Sequence, residues 1–315
     1  MADDEDPYDI VRQIAREVSN WGRWGPEDER GTLNLIDRAA RLRGVRAART
    51  GQAFTLGLPL SSQGPQCGLP PERFNPHHYM TAVGKPAGDY PGFCFSDDVI
   101  MLPPQCATQC DSLSHVHYDG HLYNGYVADE VLSEKGSAKL GIDKLAAHPV
   151  ATRGILLDFP RLWDVPRLAI DKAITAADLD AALARTGVEL ASGDALLIRT
   201  GHINVFLEDG DRATYNFTAP GLTLDTAAWL KARDVAFVGS DTTVVEVFPA
   251  ENKKLMCPMH LLLIRDMGMP LGEMYNMEAL AAACVADQRW DFFFVAQPLP
   301  IVDGIGSPTN PVVIR

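Results

Sequence analysis

Gly154-Ile-Leu-Leu-Asp158, Thr175-Ala-Ala-Asp178 and Asp194-Ala-Leu-Leu-Ile-Arg199 follow one another along the chain, with Gly187 between the second and third. The first and last runs predict buried strands, because each is short, continuously apolar and bounded by turn residues. Between them, Thr175 and Asp178 have the spacing of a capping box ahead of an Ala/Leu-rich helix, and Gly187 suits its left-handed end. The alternation continues downstream. Residues 224–233 predict a helix, 235–238 a strand ending at Gly239, 277–284 a helix and 292–296 a last apolar strand. Short apolar strands alternating with helices predict an α/β domain.

Upstream the pattern changes. Ile10, Val11, Ile14 and Val18 recur at helical spacing over residues 8–19, which predicts an amphipathic helix. Asn34-Leu-Ile-Asp37 leads into an Arg/Ala-rich helix that Gly51 can stop, so residues 1–50 read as an N-terminal helical extension. Residues 54–60 alternate like a strand. Residues 62–92 are rich in Pro and Gly and include Asn75-Pro-His-His78; they read as one long loop of the kind that serves as a lid or binding loop. No repeat, low-complexity tract or linker interrupts the chain, so residues 1–315 are expected to form a single domain.

The 315 residues weigh 34.3 kDa, enough to bury about three quarters of the unfolded surface without disulfides or a structural metal. Lys and Arg total 28 against 41 Asp and Glu, a net charge of −13. So acidic a surface repels phosphate backbones and anionic lipid, which argues against nucleic-acid and membrane partners. The six cysteines lack the paired spacing of a thiolate zinc site, and reduced, mostly buried thiols are expected. The acidic start MADDEDPYDIV carries no secretory pattern, and no apolar stretch is long enough to span a membrane, so a cytoplasmic location is expected.

Chemistry concentrates in Gln109-Cys-Asp-Ser-Leu-Ser-His-Val-His-Tyr-Asp-Gly-His-Leu-Tyr-Asn-Gly125, which holds three of the eight histidines. Asp111, His115, His117, Asp119 and His121 all carry odd numbers, so any extended part of the segment would aim neighbouring members to one side. Two imidazoles and a carboxylate can hold one ion and leave positions open for water and substrate. The plainer alternative is a polar turn whose histidines only bond the backbone.

The segment resembles the signature of the putative cyclase family, which includes bacterial kynurenine formamidases and isatin hydrolases. The resemblance implies a metal-dependent hydrolase with a swivelling β/β/α fold. That signature runs His-x3-His-x-Asp-x3-His, its first three residues binding metal and its last acting as base. Here those places fall to Asp111, His115, His117 and His121, with Asp and His exchanged at the first and third; His117 and Asp119 both stand as candidates for the third ligand. The blocks Pro220-Gly-Leu222, Val238-Gly-Ser-Asp-Thr242 and Gly304-Ile-Gly-Ser-Pro308 look like the family's later ones. The opening run from Trp21 to Asn34 looks like a longer subgroup. The resemblance implies that His260 and Glu273 hold a second metal or assist catalysis, and it implies a homodimer or homotetramer with pockets built across subunits.

The reaction so implied is hydrolysis of a small-molecule amide, cyclic amide, imide or ester. A Zn or Mn ion at Asp111, His115 and His117 would lower the pKa of bound water, and His121 would shuttle the proton. Two alternatives stand beside it. An inactive family member could act as a binding protein, and a two-His, one-carboxylate set also serves non-haem Fe(II) oxygenases. For the remaining polar residues the plainer readings are a core His260, a turn or cap at Asp241, and exposed His77 and His78. Trp21, Trp24 and Tyr123 could wall a planar substrate or simply pack.

Overall fold

Thr175 accepts from the backbone N–H of Asp178 while Asp178 returns a bond to Thr175, and the helix Ala176–Thr186 ends on Gly187 at φ 64°. The capping box and the left-handed stop therefore operate as the sequence implies. This helix separates two central strands of a nine-stranded sheet in a computed structural model that describes residues 6–250 and 252–315. Most of the acidic start, residues 1–5, lies outside the described residues.

In spatial order the strands are Ala53–Thr55, Val312–Ile314, Asp291–Val295, Ala151–Asp158, Ala195–Arg199, Phe237–Ser240, Leu271–Glu273, Gln109–Asp111 and Gly306–Pro308. The four strands from Ala151–Asp158 to Leu271–Glu273 run parallel, and those at either side are antiparallel. Ile155, Leu156, Leu157, the Ala195–Ile198 run, Phe237 and Val238 are fully buried. Such continuous apolar runs are what a parallel strand covered on both faces requires. The mixed α/β architecture agrees with the swivelling β/β/α expectation.

Two upstream readings change. The strand predicted over 54–60 stops at Thr55, because Leu56 then donates to the Pro311 carbonyl and Leu58 to the Thr108 hydroxyl instead of to a strand partner. The long loop read over 62–92 instead carries one arm of a hairpin, His77–Pro86 paired with Cys94–Met101. Nearly every residue of that ribbon is exposed on both faces, so no alternation of polarity marked it as strand. Its register also slips twice, between Met80 and Ala82 and between Ala82 and Lys85.

The N-terminal helix forms over Asp9–Val18, burying Val11, Ala15 and Val18. The second begins at Arg38, after a 3₁₀ turn Gly31–Leu35, with Asp37 accepting the Ala40 N–H at its start. All six cysteines are free: Cys106, Cys110 and Cys284 are buried, Cys67 and Cys257 half-buried and Cys94 exposed.

Candidate active site and metal centre

Asp111 ends its short strand fully buried, and neither carboxylate oxygen has a hydrogen-bond partner. An isolated buried carboxylate costs several kcal/mol, so such a group implies a cation it was built to meet. His115 brings Nε2 to 3.7 Å from Asp111 Oδ1, and its Nδ1 is also buried and unpartnered. Burial lowers the His115 pKa against the pull of Asp111, favouring the neutral ring that binds metals.

From the opposite side come His260 and Glu273. Glu273 closes a parallel strand beside the Asp111 strand, and its Oε2 accepts from Gln109 Nε2 at 2.6 Å. Its other oxygen, Oε1, lies 3.1 Å from His260 Nε2. Ligand atoms of Asp111, His260 and Glu273 all lie within 4.8 Å of one another. Burial first, and then the Asp111 charge, raises the Glu273 pKa. Burial opposes charge on His260, but hydrogen bonds to Glu246 and Glu273 outweigh it and hold its pKa well above the usual histidine value.

Glu246 is the residue that sequence reasoning missed. Its Oε1 accepts from His260 Nδ1 at 2.6 Å and from the His260 backbone N–H, and its Oε2 accepts from the Met259 N–H. A carboxylate on one ring nitrogen fixes the ring's orientation and favours its charged form. Only its position in Val244-Val-Glu246-Val could have drawn notice: a lone acid in an apolar run. Cys257 lies with Glu246 and His260 in a second group of close ligand atoms, but every Glu246 oxygen there is already taken. Cys257 precedes the His260 helix at φ 48°, and Pro258 starts that helix.

The segment 112–121 is not extended. His115 N–H bonds back to Ser112, and the chain turns through Asp119 at φ 51° and Gly120 at φ 69°. The odd-number pattern therefore scatters. His117 is exposed, on the wall of the cavity that holds His115. Asp119 accepts two bonds of 2.8 Å from Arg12 of the N-terminal helix, which takes it out of contention as a metal ligand. His121 is not among the residues lining the cavity, and its Nδ1 lies 2.7 Å from the Asp119 carbonyl. The base expected at His121 therefore stands off the cavity wall, with its ring turned to the loop backbone.

Arg265 holds this loop from beneath. Its Nε donates to the His121 carbonyl at 3.0 Å, its NH1 pairs with Asp266, and its guanidinium lies 4.4 Å from the Trp21 ring and 4.0 Å from the Tyr118 ring. Trp21 and Tyr123 are thus packing residues, with Tyr123 donating to Asp28, and Trp24 stacks with Arg23. Asp241 takes the turn-holding role: its oxygens accept from the Thr200 N–H and hydroxyl and from the Gly201 N–H. Burial pushes its pKa up to about 6. His77 and His78 are exposed on the hairpin, where His78 pairs with Asp98.

The cavity above the cluster has a volume of about 500 Å³. His115, His117, His260 and Glu273 reach it, and Tyr8, Phe217, Phe248 and Leu261 give it apolar walls. A second cavity of about 440 Å³, bounded by Ile10, Leu222 and Leu255, meets the cluster only through Glu246 and gathers no histidine. No helix among the described residues is long and apolar enough to cross a membrane.

No curated protein matches the sequence. A crystal structure described as a novel cyclase is 36% identical, with a TM-score of 0.87 over 96% of this chain and 99% of that one. Isatin hydrolase A from Ralstonia solanacearum shares the fold at 20% identity and a TM-score of 0.60, over 83% and 91% of the two chains. A Bacillus stearothermophilus protein described as a predicted metal-dependent hydrolase does so at 15% identity and 0.51, over 83% and 97%. The model of the putative cyclase family matches residues 19–247, and this chain belongs to that family.

Proposed function

We propose that the protein is a metal-dependent hydrolase that opens a small amide, cyclic amide, imide or ester. The observation that carries this reading is the buried, unpartnered carboxylate of Asp111 with His115 Nε2 beside it. Asp111 and His115 anchor the ion, and His117, on the same cavity wall, completes the set. The mix of imidazole and carboxylate suits Zn or Mn. A divalent ion there would supply Lewis acidity and a water of lowered pKa. The names carried by the fold neighbours, an isatin hydrolase and a metal-dependent hydrolase, point the same way.

The chain's own residues supply the proton handling. Gln109 holds Glu273 Oε2, while Oε1, bonded to His260 Nε2, is the oxygen that takes a proton from the attacking water on its remaining lone pair and returns it to the leaving nitrogen or oxygen. His260, locked by Glu246, stands beside that oxygen and stabilises its charged form. Positioned acid–base groups contribute about 10²–10⁴ in rate. This pair replaces His121 in the assignment.

The test is metal analysis together with activity on a panel of cyclic and acyclic aryl amides. Asp111→Asn and His115→Ala should purify with little metal, while Glu273→Gln should retain it and lose turnover. Stoichiometric metal in Asp111→Asn, or full turnover in Glu273→Gln, would overturn the assignment.

A further inference from the structure

The cavity wall facing the cluster carries one guanidinium, that of Arg73. It is the only Lys or Arg among the described residues lining the cavity, and it is part-buried. No carboxylate among the described residues lies within salt-bridge distance of it, although its backbone N–H closes a turn on the Pro70 carbonyl. Its neighbours on the wall include Leu69, Phe217, Phe248 and Met256. A cation partly withdrawn from water among apolar groups, with no partner of its own, is costly unless a ligand supplies the opposite charge.

The charge pattern makes the same demand from the other side. Glu273 lines the cavity, Asp111 lies within 4.8 Å of its ligand atom behind the wall, and the chain as a whole carries −13. Within the cluster His260 and a bound ion would offset the carboxylates, which leaves Arg73 as the cationic side chain on the outer wall that an incoming anion meets.

We infer that Arg73 is a specificity residue that receives an anionic group, a carboxylate or its equivalent, borne by an aromatic substrate away from the bond to be cleaved. The inference rests on the hydrolase reading for the reaction but not for the binding. The aryl part lies against Phe217 and Phe248, and Arg73 takes the acid in the paired, planar manner guanidinium groups favour.

Binding separates this inference from the reaction. Calorimetric titration of the zinc-loaded protein would compare benzenesulfonate, an arene anion that metals hold weakly, with its neutral counterpart methyl phenyl sulfone. The sulfonate should bind at least about tenfold more tightly, as expected for one charge-assisted pair in a part-buried site. Arg73→Gln should abolish that preference while leaving sulfone affinity within about twofold. Arg73→Lys should keep part of it, which controls for simple damage to the loop. Equal binding of the two probes by the natural protein, or a preference that survives in Arg73→Gln, would overturn the inference. An Arg73-dependent preference in a protein that hydrolyses no amide would overturn only the hydrolase reading.

Discussion

Glu246 and His260 form a buried pair, 2.6 Å from carboxylate Oε1 to ring Nδ1, and the same carboxylate also accepts the backbone N–H groups of Met259 and His260. One side chain thus sets the start of a helix and the orientation of the ring it presents. Nδ1 is committed to Glu246, and Nε2 is turned toward Glu273.

Replacing Glu246 by Gln puts an NH₂ where one of those donors now finds an oxygen. Turnover should fall by about 10–100-fold, the size of effect that outer hydrogen-bond partners have on the site residues they orient. Stability should fall by about 1–3 kcal/mol for the donor left unpaired. Steady-state kinetics and urea unfolding of Glu246→Gln read the two effects separately. A variant with the natural kcat would remove the orienting role.

Asp111 gives a prediction whose sign depends on metal. Without an ion its charge is buried and unpartnered, so Asp111→Asn should leave the metal-stripped protein as stable or more so. With zinc present the natural protein should gain stability by mass action and the variant should not. Thermal unfolding in EDTA and in zinc tests both arms. A variant that is destabilised equally in both conditions would remove the charge argument.

His202 makes the fold acid-sensitive. Its ring is fully buried and lies on Tyr215, with centroids 5.5 Å apart. Burial lowers its pKa to about 4, although the backbone at Thr218 and Tyr215 pulls the other way. The unfolded chain therefore binds the proton first. Stability held above the ordinary value of 6.5 is lost as pH falls toward about 4, by roughly 3 kcal/mol. His202→Phe, which keeps a ring against Tyr215, should flatten denaturant midpoints across that window. A slope unchanged in the variant would place the acid sensitivity elsewhere.

The hairpin of His77–Pro86 and Cys94–Met101 supports the proposal that the protein is a homo-oligomer. A lone two-stranded ribbon is marginal in water, and Tyr79 and Val83 on this one, with Tyr90 and Phe93 in its turn, are each more than half exposed. We expect light scattering to give a dimer or tetramer, and the double variant Val83→Lys, Phe93→Lys to shift it toward monomer. A monomeric natural protein, or an unchanged assembly in the variant, would remove the hairpin as an interface.

Legibility in the sequence followed burial. The strands Ala151–Asp158 and Ala195–Arg199 were readable because both faces are covered, and the helix Ala176–Thr186 because its cap bonds are local. The hairpin was not, because its ribbon buries neither face. Within the site, Asp111 and His115 were legible as a close pair. The arrival of His260 and Glu273 was indicated only by family likeness, since strand order brings Glu273, and the helix Pro258–His260 brings its histidine, from more than a hundred residues away. The spacing contains no record of the left-handed turn at Asp119 and Gly120, which sets His121 off the cavity wall.

The contact between Arg12 and Asp119 ties the loop of His115 and His117 to a helix that precedes the family match, which begins at residue 19. Trimming the gene to the borders of family likeness would therefore cut a brace rather than an ornament. Grafting the first helix of a relative onto this chain would retune the rim of the pocket without touching any donor atom. Divergence among such proteins then has a second address, in the segment that their shared signature leaves out.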